Sequence, residues 1–460
     1  MPVRQDDLDQ YEIIKFTNCR ILKDRQLVHE DLWIDARSGK ILNAQKVFYE
    51  LQLSPDKVID LHGKILCPGF IDVQINGAYG FDFSVPRDKK EDYEAGLREA
   101  TRGLARTGVT SFLPTTVSST SEVYRKVLPF LAPWGRSRDP SDGAESLGAH
   151  VEGPFINPVR NGVHKPGVLQ SVKNGLQDIL DCYGVDNVPA DSTQNGEAIQ
   201  NGDTTKNGES TQDGEATQSS TARVPAIKMI TAAPEVGDML KIISEIRSRG
   251  IIFSIGHSDA TYQQALTAVS EGATMVTHLF NAMRPFLHRN PGIFGLLGQS
   301  EQPKPYFGLI ADGIHLHPTS IKIAYHAHSQ GLILVTDAMR LCGLPDGVYE
   351  WTNGDRIIKE GARLTLEGSD RLAGSSATLI ECVNNFRRWS GATTAEALAA
   401  VTSTPAKMLG MEHIKGTLEP GADADLVVLG EKDDPYSGQT LTVDQVWKFG
   451  VKIYEEGCEA

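Results

Sequence analysis

Eight short apolar runs, set apart by helical or turn-rich stretches, dominate the middle of this chain and limit what it can fold into. They are Phe70–Gln74, Val109–Leu113, Leu147–Val151, Lys228–Thr231, Ile251–Ile255, Thr274–Thr277, Tyr306–Ala311 and Leu332–Thr336. Short, near-continuous apolar runs of this kind read as strands buried on both faces. Helical periodicity fills intervals such as Tyr93–Thr107, Pro234–Arg249 and Thr261–Glu271. Strands alternating with helices imply a parallel sheet, and eight repeats point to closure as a (β/α)8 barrel. On this pattern alone an open doubly wound sheet is the alternative.

The two ends have a different texture. Glu12-Ile-Ile-Lys-Phe, Asp31-Leu-Trp-Ile-Asp and Lys57-Val-Ile-Asp-Leu are β-rich, as are Ala424-Asp-Leu-Val-Val-Leu and Gln445-Val-Trp-Lys-Phe-Gly-Val-Lys-Ile-Tyr. The expected class is therefore α/β: a TIM-like barrel over residues 67–410, with a small β-sandwich built from both chain ends, 11–66 and 411–457. One stretch breaks the order. Asn195-Gly-Glu, Asn201-Gly-Asp, Asn207-Gly-Glu and Asp213-Gly-Glu recur every six residues among Ser, Thr, Gln and Ala. A hexapeptide β-helix needs an apolar residue in each turn, so this segment is expected to form a disordered acidic insert at about 186–222.

Composition narrows the setting. More than half of the formal net charge of −14 falls between Asn174 and Ala222, so the remainder is ordinary and offers no basic face for nucleic acid. Six scattered cysteines without a CxxC favour reduced thiols. The first residues are acidic, and no apolar run reaches the ~18 residues of a membrane span. The expectation is a cytoplasmic enzyme with a small-molecule partner and no membrane contact.

Four of the apolar runs end in chemistry. Glu152 closes Leu147-Gly-Ala-His-Val-Glu, His257 closes Ile251-Ile-Phe-Ser-Ile-Gly-His, His278 closes Thr274-Met-Val-Thr-His, and Asp337 closes Leu332-Ile-Leu-Val-Thr-Asp. In a parallel barrel all strand C-termini open on one face, where such enzymes keep their active sites. One carboxylate and two imidazoles suit a divalent ion with positions left for water and substrate. Taken singly, a strand-end histidine more often closes a local hydrogen bond, and Asp337 reads as a helix N-cap. Together they point to metal-assisted hydrolysis, with Asp337 moving the proton.

These residues also carry a resemblance. Pro68-Gly-Phe-Ile-Asp-Val-Gln-Ile-Asn-Gly resembles the strand-1 signature of the amidohydrolase superfamily, and Gly421-Ala-Asp-Ala-Asp-Leu-Val-Val-Leu resembles its return into the small β domain. His150-Val-Glu-Gly-Pro-Phe, Gly256-His-Ser, Thr277-His-Leu-Phe-Asn-Ala-Met, Ala311-Asp-Gly-Ile-His and Val335-Thr-Asp-Ala are together similar to the N-acetylglucosamine-6-phosphate deacetylase family. The match spans nearly the whole chain apart from the first ten residues and the acidic insert. It implies hydrolysis of an acetylated amino-sugar phosphate. Glu152, His257 and His278 are then the metal ligands, Asp337 the acid/base, and His164 a group that polarises the substrate carbonyl or contacts the sugar. It also implies Asn281, Ala282 and His315 near the sugar phosphate, with Arg289 reaching in from a second subunit of a homodimer. On its own, Arg289 reads as a solvated loop charge. Many superfamily members carry His-X-His on strand 1, where this chain has Asp72-Val73-Gln74. The site is therefore expected to hold one divalent ion, Zn2+ first and Fe, Co or Mn as alternatives. A cyclic-amide hydrolase and a non-catalytic scaffold on the same fold are the competing readings.

Overall fold

The computed structural model describes residues 11–133, 139–191, 224–300, 303–351, 354–434 and 438–458. Eight parallel strands form its central wall: β1 (Phe70–Ile75), β2 (Val109–Val117), β3 (Ala149–Glu152), β4 (Ile227–Ala232), β5 (Ile252–Ile255), β6 (Met275–Val276), β7 (Tyr306–Ile310) and β8 (Leu332–Val335). Each pairs in parallel with the next in chain order. Between β8 and β1 the ring closes at the C-terminal end. There Asp337 N–H donates to the Gln74 carbonyl at 2.8 Å and Asn76 N–H to the Ala338 carbonyl at 2.8 Å. Lower down, the Ala400 and Val401 carbonyls fill the seam, accepting from Leu334 N–H and Ile71 N–H. Asp72 accepts from Thr336 Oγ1 across the same seam at 2.6 Å, and burial pushes its carboxyl up to about 7. The open-sheet alternative does not survive this closure.

The helices form because their apolar positions recur on one face. In Lys90–Ala105, Tyr93, Leu97, Ala100 and Leu104 are buried, and they pack on the outside of the wall. Tyr262–Ser270 starts at a capping box between Thr261 and Gln264. The helix expected from Pro234 begins later, as a short turn at Met239–Lys241 and then Ile243–Ser248. Residues before it are held by a bridge between Val172 and Gly237. At Gly237 a Cβ would lie 2.2 Å from the Val172 carbonyl oxygen, so glycine permits the contact that delays the helix.

Inside the span expected to be barrel, the sequence reading missed a four-stranded antiparallel sheet. Its strands are Gly347–Glu350, Arg356–Glu360, Arg363–Leu366 and Leu372–Ser375, paired in that order. At the chain ends, two sheets form a sandwich. One holds Ile13–Thr17, Leu32–Asp35, Lys40–Ile41 and Lys57–Asp60; the other runs Val451–Glu455, Gly438–Lys448, Leu426–Asp434, Ile65–Pro68, Arg20–Lys23, Gln26–His29. Phe16, Ile34, Leu66, Leu426 and Trp447 pack in its core. Ile65–Pro68 crosses the expected 66/67 boundary, because it pairs with both chain ends before the barrel begins.

Buried charges fasten the sandwich to the barrel. Lys415 and Lys448 both reach Asp425 Oδ2 at 2.7 Å and Glu145 Oε2 at 2.9 and 2.6 Å. The expected insert starts too early: Val185–Asn187 is a helical turn with Asn187 buried, and Val188 is buried after it. The acidic hexads themselves lie outside the described residues. Among the described residues, no helix is long and apolar enough to cross a membrane.

Candidate active site

The side chains singled out at the strand ends meet at the barrel mouth. Glu152 is the last residue of β3, while His257, His278 and Asp337 each stand two residues past β5, β6 and β8. The last three have φ of +47°, +25° and +46°. Left-handed backbone costs a non-glycine residue about 1–3 kcal/mol and persists only where neighbours enforce it, commonly at functional sites. Close packing sets the approach to His257. A Cβ on Gly256 would fall 2.6 Å from Thr231 Cγ2 and 2.7 Å from Thr277 Cβ.

His257 Nε2 and His278 Nε2 lie 3.3 and 3.1 Å from Glu152 Oε1, and 3.1 Å from each other. All three residues are buried, with one ligand atom from each inside a 4.8 Å span. The Arg160 carbonyl can only accept, so at 2.8 Å it fixes the proton of His257 on Nδ1 and frees the Nε2 lone pair. Two imidazole nitrogens and a carboxylate oxygen this close repel one another through their lone pairs, and a divalent cation among them removes the conflict. A proton meets the same need in the protein alone. Burial favours neutral His278, yet the Glu152 carboxylate overrides it and lifts the imidazole to about 9. Burial likewise acts to raise Glu152, but its hydrogen bonds with the two histidines hold it well below the usual carboxylate range. The donor set fits Zn, Fe, Co or Mn.

Asp337 is held by amides and caps no helix. Its Oδ1 accepts from Asn76 Nδ2 at 2.8 Å and Gln74 Nε2 at 3.2 Å, and Gln74 Nε2 also lies 3.0 Å from Glu152 Oε1. Among the described residues no hydrogen bond reaches Oδ2. Burial, then the Glu152 charge, raises this carboxyl to about 6, where it can both take and return a proton near neutrality. Neither amide was foreseen from the sequence: Gln74 stood out only as the residue in place of a strand-1 histidine, and Asn76 not at all.

His164 sits across from them. Ser118 N–H donates to its Nδ1 at 3.2 Å, so the ring proton resides on Nε2, 4.0 Å from Glu152 Oε2. Burial, reinforced by His257, lowers its pKa to about 3 and keeps it a neutral donor. His315 Nδ1 bonds Asp312 Oδ2 at 2.7 Å; burial opposes its charge, but Asp312 prevails and raises its pKa. His317, the neighbour that could be confused with it, caps the helix Pro318–Ala327 through Thr319 N–H.

A cavity of about 760 Å³ joins these groups, with Glu152, His164, His257, His278, His315 and Asp337 on its wall. Asn281 and Ala282 line it too, whereas Arg289 is exposed and lies off the wall. The unanticipated antiparallel sheet and the loops beside it supply more of its wall, through Trp351, Leu366 and Leu372. Its short, half-exposed strands gave little periodicity to find.

A barrel that gathers Glu, His, His and a further buried carboxyl at its strand ends has the side-chain set of a metal-dependent hydrolase. The amidohydrolase family model matches residues 65–452. An N-acetylglucosamine-6-phosphate deacetylase of Danio rerio is 41% identical over 450 residues, covering 96% of this chain and 97% of its own. Among solved structures, the N-acetylglucosamine-6-phosphate deacetylase of Pasteurella multocida superposes with a TM-score of 0.72 at 25% identity, covering 96% of this chain and 99% of its own. A mutant of the Mycobacterium smegmatis enzyme, in complex with N-acetyl-D-glucosamine-6-phosphate, gives 0.70 at 25% identity, with the same coverage. The chain belongs to the amidohydrolase family and, within it, to the N-acetylglucosamine-6-phosphate deacetylases.

Proposed function

We propose that this chain hydrolyses N-acetyl-D-glucosamine 6-phosphate to D-glucosamine 6-phosphate and acetate, with Asp337 as the acid/base at a site for one divalent ion. The observation that carries this reading is the convergence of Glu152, His257 and His278 within 4.8 Å at the mouth of the cavity that Asp337 also lines. Glu152 and the two Nε2 atoms would hold the ion, for which Zn2+ is the first choice. When bound, such an ion makes water nucleophilic near neutral pH. Asp337, anchored through Oδ1, uses Oδ2 to take the proton of the attacking water and then delivers it to the sugar nitrogen as the C–N bond breaks. His164 presents Nε2–H to the carbonyl oxygen as negative charge develops there.

Asn281, Ala282 and His315 are assigned to the phosphate end, where a dianion is met by amide donors and an imidazole that Asp312 biases toward its charged form. Arg289 is assigned to the phosphate of a second subunit. Val159, Val163, Phe286 and Leu287 are exposed on the segments carrying Arg160 and Arg289, an apolar surface suited to the homodimer this role requires. The test is metal analysis of the pure protein beside acetate release from N-acetylglucosamine 6-phosphate. Turnover of a cyclic amide in place of the sugar phosphate would favour the rival hydrolase, and no turnover of either would favour a scaffold.

A further inference from the structure

His257 occupies backbone that a free chain avoids, and its neighbours show what keeps it there. Glu235, three residues beyond β4, sends its carboxylate under the turn that follows His257. Oε1 accepts from Asp259 N–H at 2.6 Å and from Asn157 Nδ2 at 2.9 Å, and Oε2 accepts from Ser258 Oγ at 2.7 Å. Asn157 N–H in turn donates to the His257 carbonyl at 2.9 Å. Arg160, on the same segment as Asn157, supplies the carbonyl that orients the His257 ring. Its guanidinium is fixed by Asp259 Oδ1 at 2.9 and 2.7 Å, and Asp259 Oδ2 takes Arg284 at 2.6 Å. Glu235 thus touches the residues on both sides of the ring: the turn that sets its backbone and the loop that sets its tautomer.

We infer that Glu235 is a positioning residue for the metal ligand His257, acting through acceptor geometry and not through its charge. This rests on the reading of Glu152, His257 and His278 as the metal site. All three donors to Glu235 are neutral, and a glutamine can serve them: its oxygen takes the two N–H groups, and the Ser258 hydroxyl turns round to accept from the new amide. An alanine serves none of them. Partners of this kind behind a ligating histidine are worth about 10–100-fold in metal affinity.

The experiment measures Zn2+ dissociation constants by chelator competition in the full-length protein, alongside melting temperatures with and without zinc. Glu235→Ala should weaken zinc by roughly ten- to a hundred-fold and shrink the zinc-induced rise in Tm, whereas Glu235→Gln should stay within about threefold of the unaltered protein. A role confined to packing would lower Tm equally in both forms and leave the dissociation constant alone, which overturns the inference. Glu235→Gln binding as poorly as Glu235→Ala would overturn it too, by showing that charge is what matters. Should Glu235→Ala not fold, Ser258→Ala removes one of the three bonds, and a loss of a few-fold is expected; zinc affinity equal to the unaltered protein then refutes the proposal. Unaltered protein that holds neither zinc nor iron, cobalt or manganese sinks the metal reading itself and this inference with it, whereas normal binding there and in Glu235→Ala sinks the inference alone.

Discussion

Asp337→Asn isolates proton transfer from shape. In the native site Oδ1 is the anchored oxygen, taking the amides of Asn76 and Gln74 at 2.8 and 3.2 Å. An asparagine keeps an oxygen there and places its NH2 where Oδ2 was, so both anchors and the ring seam persist. What disappears is the ability to take a proton from water and return it to nitrogen. General acid–base groups contribute about 10²–10⁴-fold, so kcat should fall by at least ~10², or about 2.7 kcal/mol in the barrier, with zinc content and Tm unchanged. Steady-state acetate release from N-acetylglucosamine 6-phosphate reads this directly. The pH profile adds a second constraint. Because burial and Glu152 raise the Asp337 carboxyl to about 6, the basic form needed for attack is lost as pH falls through that value, and activity falls with it. A bound cation draws the midpoint lower, so the acid limb belongs at or below about 6, and it should vanish from the residual activity of the variant. Unchanged kcat, or the same limb in Asp337→Asn, would refute the assignment.

Four further outcomes are expected. His257→Ala and His278→Ala should each empty the metal site and abolish turnover while the barrel still folds, as metal analysis and circular dichroism will report; retained metal with near-normal rates would dissolve the ligand set. Arg289→Ala should raise KM for the phosphorylated sugar by roughly ten- to a hundred-fold, but hardly for N-acetylglucosamine itself. Mixing Arg289→Ala with Asp337→Asn subunits should restore activity in the dimers where one site carries both defects, and no recovery after proven exchange would confine Arg289 to its own subunit. Deletion of residues 195–218 should leave kcat and Tm nearly unchanged, since polar hexads of this composition bury little; a marked loss of either would show the segment contributes to the folded enzyme.

The sequence disclosed the barrel because each strand is a dense apolar run, a signal that survives without knowing its neighbours. It marked Glu152, His257, His278 and Asp337 as candidates for the same reason, since each stands at, or within two residues of, the end of such a run. The roles of His164, Asn281, Ala282, Arg289 and His315 drew on resemblance, not on periodicity. What stayed hidden depends on distant pairing. Asn76 reaches Asp337 across the ring seam, and Glu235 reaches Ser258 and Asn157 across neighbouring loops; no local pattern announces either. The sheet of Gly347–Ser375 was missed because its strands are short and partly exposed, so neither period stands out.

The sandwich places the first and last parts of the chain in one sheet, with Ile65–Pro68 between Arg20–Lys23 and Leu426–Asp434. A ribosome makes these partners far apart in time. At about 5–20 residues per second, roughly 20–70 s separates the emergence of Ile65 from that of Leu426. During that interval the N-terminal strands present an unpaired edge and the faces of Leu66 and Phe16 without their cover, while the barrel strands are still being added. Only after Trp447 arrives can the small domain close and the Lys415 and Lys448 charges be neutralised together with Glu145 and Asp425. Completion of this fold therefore waits until Trp447 has been made, and a nascent chain truncated or stalled before it exposes an edge strand ready to pair with another copy.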